Sequence, residues 1–137
     1  MANVTSVQTI LDGPRHVVLK IDGLLDTSDL TSTTVVDPAL LSDMNINGVK
    51  ASKLRINKIV YDVEDTLDVE LFWDAATPVR IWNLVGRGKI DAAHFGNLQN
   101  NAGAGKTGNI KILTTGWASG TQIFSIVLEL VKQGPNL

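Results

Sequence analysis

Asn109-Ile110-Lys111-Ile112-Leu113-Thr114-Thr115, then Gly116-Trp117-Ala118-Ser119-Gly120, then Thr121-Gln122-Ile123-Phe124-Ser125-Ile126-Val127-Leu128-Glu129-Leu130-Val131-Lys132: two extended segments flank a turn-rich connection, a pattern that predicts a long β-hairpin. In the second segment Phe124, Ile126, Leu128 and Leu130 share one face. Ile123, Val127 and Val131, beside Ser125 and Glu129, make the other face largely apolar as well. A strand apolar on both faces belongs inside a sheet or between layers, so residues 121–132 are expected to be the central strand.

The segments before it follow the same short-strand grammar. Residues 1–11 are polar and β-branched, with Val4, Val7, Ile10 and Leu11 too irregular to define a face, and are expected to form an arm or an edge strand. Asp12-Gly13-Pro14 is a turn. His16 to Asp22 alternates, with Val17, Leu19 and Ile21 on one side, as in a half-buried strand. Residues 23–32 read as a loop and 33–36 as a short strand. Asp37-Pro38 is a helix-start pair, Asp as N-cap and Pro at the first helical position, which predicts one or two helical turns near residues 38–44, closed by Asn45 and Asn47-Gly48.

From Lys53 to Val63 the apolar parity changes: Leu54 and Ile56 are even, Ile59, Tyr61 and Val63 odd. Side chains alternate along a strand, so a bulge or bend is required near Asn57-Lys58. Glu64-Asp65-Thr66 turns the chain into a strand with Leu67, Val69, Leu71 and Trp73 on one side, a predicted hairpin. Residues 79–85 are apolar on both faces, which places Trp82, like Trp73, in the core. Residues 89–95 fit a strand or a helical turn, and residues 96–108 form a Gly/Asn-rich loop of the length usually associated with function or mobility. About seven to nine short strands separated by Gly, Pro, Asn and Asp clusters predict an all-β sandwich, jelly-roll-like or Greek-key, in one domain with an N-terminal arm over residues 1–11.

Composition narrows the function classes. A 137-residue chain can bury roughly two-thirds of its unfolded surface in one core. A formal charge of −2 supplies no electrostatic drive toward nucleic acid or anionic membrane. Without cysteine, packing and not cross-linking must hold the fold. No apolar run approaches the ~20 residues of a membrane span, and the N-terminal residues carry no signal-peptide pattern, so synthesis and folding in the cytoplasm are expected.

Motifs that could carry chemistry are incomplete. Gly105-Lys106-Thr107 suggests a phosphate loop, but Asn100 stands where the motif needs its first Gly, and a strand follows where it needs a helix. His16 and His94 are the whole imidazole supply; Asp91 precedes His94 by a turn, yet no Gly-x-Ser-x-Gly elbow exists, Ser119 falling one position late. Asp22, Asp26 and Asp29 could offer oxygens to Ca²⁺ but lack the EF-hand spacing, and turn chemistry is the favoured account of them. Asp62, Glu64, Asp65, Asp68 and Glu70 read as a solvated face or as edge protection. Trp117, in a turn, is either an interface anchor or folds back over the sheet end. No catalytic residue, cofactor or metal is assigned.

Arg15-His16-Val17-Val18-Leu19-Lys20-Ile21-Asp22-Gly23-Leu24-Leu25-Asp26, Leu71-Phe72-Trp73-Asp74-Ala75-Ala76-Thr77-Pro78-Val79 and Asn100-Asn101-Ala102-Gly103-Ala104-Gly105-Lys106-Thr107-Gly108-Asn109-Ile110 together resemble small virion structural proteins of tailed bacteriophages, of the head decoration or cement type. The resemblance runs from about Arg15 to Lys132. It implies a β-rich, non-enzymatic homo-oligomer, often a trimer, bound to the major capsid protein on the capsid exterior. Candidate contact residues are Val4, Val7 and Ile10 of the arm, which could add a strand to a capsid edge, Lys106 of the long loop, and Trp117. The alternatives are a tail or head–tail joining protein, and a β-sandwich carbohydrate-binding module using Trp117 as a sugar platform.

Overall fold

The computed structural model describes residues 3–44 and 48–133. Among the described residues nine strands form two antiparallel sheets. They are β1 (Val4–Asp12), β2 (His16–Leu25), β3 (Thr33–Val36), β4 (Lys53–Val63), β5 (Asp68–Trp73), β6 (Val79–Leu84), β7 (Arg87–Asp91), β8 (Ile110–Thr115) and β9 (Gln122–Gln133). One sheet has the order β1-β2-β9-β4-β7, the other β3-β8-β5-β6. The molecule is an all-β sandwich. Val17, Leu19, Ile21, Ile126 and Leu128 of the first sheet meet Val69, Leu71, Trp73, Ile110 and Ile112 of the second in one continuous buried cluster.

β9 is the middle strand of the larger sheet, paired with β2 along one side and β4 along the other. Its even residues Phe124, Ile126, Leu128 and Leu130 are buried between the sheets, and the opposite face carries Ile123, half in solvent. Gly23 lies opposite Phe124, and the aromatic ring covers it so closely that any Cβ there would overlap the ring. The parity change in β4 is a bulge: the register with β9 slips between Ile56 and Lys58, so Asn57 is the extra residue. Leu54, Ile56, Ile59 and Val63 are thereby all buried.

Residues 109–132 are not a hairpin. β8 lies in the smaller sheet and β9 in the larger, and residues 116–121 cross between layers. Both strands bury one apolar face, and two such faces can be satisfied either side by side or across a sandwich; sheets pack about 10 Å apart, a gap six residues span easily. Gly116 makes the corner, at a left-handed φ of 96° and packed against the Thr66 carbonyl. The predicted hairpin around Glu64-Asp65-Thr66 is likewise an inter-sheet connection, from β4 to β5.

Other expectations are adjusted locally. Gly23, Leu24 and Leu25 continue β2 instead of opening a loop, because β9 offers them partners. The helical segment shrinks to a 3-10 turn, Pro38–Leu40, with Asp37 capping the Ala39 amide as expected of that pair; Asn45 and Asn47 lie outside the described residues. Residues 89–95 divide between the end of β7 and a 3-10 turn, Ala92–Phe95. Trp82 is not core: β6 is a sheet edge, and the residue is 39% exposed. Trp73, 2% exposed, is core. Residues 4–11 form no free arm but an edge strand hydrogen-bonded to β2.

Candidate interaction surface

A sandwich leaves strand edges with unpaired amides and carbonyls, and natural sheets protect them with charge, bulges or brevity. Three of the edges here are protected in this way. β7 has five residues and carries Arg87, Lys89 and Asp91. β3 has four residues and a register slip between Thr34 and Val36. β6 is bulged opposite Leu71 and Phe72, and its Arg80 is tied to Glu70 at 2.9 Å and lies over the Phe72 ring.

β1 is different. It is nine residues long and contains no charged residue before Asp12, whose carboxylate turns inward. It keeps register with β2 from Val4 through Thr9, with the slip only at Ile10. Val4, Val7, Ile10 and Leu11 are 42–56% exposed. Val7 has the parity of buried Ile21 yet faces solvent. On the outer face a row of apolar side chains continues from the edge, Val4 beside Leu24 and Leu24 beside Ile123. The edge, uncharged but half polar through Thr5, Ser6, Gln8 and Thr9, and this outer row meet at Val4 in one strip, with Val7 on the opposite face.

Both ends of β1 are anchored. At its start, the Asn3 side chain accepts from the Asp26 and Thr27 amides at 2.8 and 3.1 Å and donates to the Ser28 carbonyl. At its end sits Lys132, whose side chain is fully buried. Its ammonium donates to Asp12 Oδ1 at 2.8 Å, to the Gly13 and Ser42 carbonyls at 2.7 Å each, and to Ser42 Oγ at 3.0 Å. Burial works to raise the Asp12 pKa, but the hydrogen bonds from Lys132 and from the Ser42 amide and hydroxyl, with the lysine's charge, hold it below the ordinary aspartate value of 3.8. Lys132 escaped the sequence reading, although it stands two residues after Leu130, on the parity of the β9 core face. An ammonium at such a position must find acceptors or stay in water.

Of the other predicted contact residues, Lys106 and Trp117 are not joined to this strip or to each other. Lys106 is exposed on the long loop, at a cleft with Asp37, Pro38, Ala39, Ser52 and Lys53, near the end of β9. That loop is tied down: Leu98 bridges Ile56, Thr107 donates to Asp74 at 2.8 Å, and the Ala76 amide donates to the Ala104 carbonyl. Trp117, before the start of β9, is folded back: half-buried against the core, its indole N–H donates to the Gly120 carbonyl at 2.9 Å.

The three aspartates, Asp22 within β2 and Asp26 and Asp29 in the loop after it, are separately engaged. Asp22 accepts from Ser125 Oγ, Asp26 from Thr121 Oγ1, and Asp29 from the Trp117 amide and Thr114 Oγ1. Among the described residues no three His, Asp or Glu side chains gather as metal ligands. His94 and Asp91 stand 3.8 Å apart on an exposed turn, the imidazole 84% in solvent. Of the acidic group, Glu70 pairs with Arg80, while Asp62, Glu64 and Asp65 are exposed. No family model matches the chain, and comparison with curated proteins finds no relative.

Proposed function

We propose that this protein works by adhesion and not by catalysis, as a decoration (cement) protein that binds the major capsid protein on the outside of a tailed-phage head and reinforces the assembled shell. The observation that carries the reading is the β1 edge, among the described residues the longest edge strand and free of charge from Val4 to Leu11, beside three edges that are short, bulged or charged. An edge left in that state is a template for strand pairing, and its main-chain groups supply affinity wherever a partner strand is presented. The likeness of three segments to virion structural proteins supplies the choice of partner. A ligand that binds the assembled shell and not the free subunit stabilises the lattice by mass action, and contact with several subunits at once adds avidity.

The test is to mix the purified chain with mature heads that lack it. The protein is expected to cosediment with them to saturation and to raise their disruption temperature. Heads that neither retain it nor gain stability would overturn the proposal.

A further inference from the structure

We infer that the β1 edge takes β1 of a second copy of this chain, antiparallel, about a two-fold axis at Val7. The inference rests on the reading of β1 as an attachment edge and names what occupies it in the free protein. Residues 4–10 read Val-Thr-Ser-Val-Gln-Thr-Ile, which is a palindrome in side-chain chemistry. Antiparallel pairing centred on Val7 sets Val7 against itself, Ser6 against Gln8, Thr5 against Thr9 and Val4 against Ile10.

Each of these is a favourable cross-strand class. β-branched residues meet β-branched residues at the centre and ends, threonine meets threonine, and a hydroxyl meets an amide in between, so like chemistry faces like across the axis. No charge lies anywhere on the paired segment, so the symmetric arrangement brings no like charges together. The segment in unbroken register with β2, Val4 through Thr9, covers the palindrome except for its last residue, Ile10, where the bulge falls. A two-fold contact uses the same patch on both partners and therefore requires self-complementarity of this kind. A foreign strand requires none of it.

Pairing would join the two five-stranded sheets into one of ten strands, with the Val4–Leu24–Ile123 rows of the two copies on the same face. A single strand-to-strand contact falls at or below the lower bound of stable interfaces, roughly 1,200 Å² in total, so the dimer should be concentration-dependent. The free protein thus passes from monomer to dimer as its concentration rises, where the resemblance implies trimers.

The experiment measures mass by light scattering across a concentration series and probes register by cysteine cross-linking, which the cysteine-free chain allows without background. Wild type is expected to move from 14.7 kDa to twice that mass as concentration rises. Val7→Lys is expected to stay monomeric with an unchanged circular dichroism spectrum. Under mild oxidation Val7→Cys should form a covalent dimer, while Ser6→Cys and Gln8→Cys should do so only when mixed with each other. Wild type that stays monomeric, Val7→Lys that still dimerises, or Val7→Cys that cross-links no faster than Ser6→Cys alone would overturn the pairing. Binding of the same proteins to heads separates the two claims: if wild type never dimerises but saturates heads, the pairing fails and the shell-binding reading stands. If it dimerises as predicted and ignores heads, the reverse holds.

Discussion

Lys132 is the residue on which the β1 end of the sandwich depends. A fully buried ammonium with one carboxylate and three neutral acceptors is stable only while that set is complete. Removing one member of a buried pair costs about 3–5 kcal/mol, because the other charge is left desolvated. The two partners are not equivalent, since the Asp12 side chain keeps 22% of its surface in water and Lys132 keeps none. Asp12→Ala, which strands the buried cation, should therefore destabilise more than Lys132→Met, which strands a carboxylate that can hydrate; urea unfolding at neutral pH measures both. The acid limb has a definite sign. The Asp12 pKa is lower in the folded than in the unfolded chain, so its stabilisation is present above the ordinary value of 3.8 and is lost as pH falls through the depressed folded value. Asp12→Asn should be less stable than wild type at neutral pH, and the gap should narrow as the pH drops toward 3.

The strands show what a single sequence discloses and what it withholds. Alternation along 17, 19 and 21 and along 124, 126, 128 and 130 identified two core faces correctly, because the side-chain period of a strand is local. The Asn57 bulge was legible for the same reason: a parity change has no other remedy in a continuous strand. Which strand lies beside which is not local. β8 and β9, and β4 and β5, looked like hairpins and proved to be corners between sheets, since an apolar face fits a neighbour above it as well as a continuation beside it. Trp82 was misplaced on the same account: apolar residues on both faces of residues 79–85 suggested interior, but the strand fell at an edge. Of the contact residues, Val4, Val7 and Ile10 share one edge, whereas Lys106 and Trp117 lie near opposite ends of β9. The bulge yields an element-scale prediction. Deleting Asn57 forces Leu54 and Ile56, or else Ile59 and Val63, onto the solvent face, and the variant should lose the cooperative thermal transition seen by circular dichroism. A variant that melts within a few degrees of wild type would show that the two halves of β4 do not share a register.

At the scale of the whole molecule, a rigid sandwich with one bare edge is suited to holding other protein surfaces together. Its core joins both sheets in one cluster, and both ends of β1 are fixed, at Asn3 by loop amides and at Asp12 by Lys132. The strip is thus presented in one geometry, and little ordering entropy is spent when a partner strand arrives. Binding by a pre-formed edge predicts that head-bound protein has the same circular dichroism and the same Lys132-dependent stability as free protein. The most direct test of the central claim is the number of copies in the purified particle, counted by cryo-EM reconstruction. A reinforcing decoration predicts on the order of hundreds of copies arrayed over the head surface with the β-sandwich visible against the shell, as repeated symmetry requires. Six or twelve copies at a vertex or in the tail, or none in the particle at all, would contradict it.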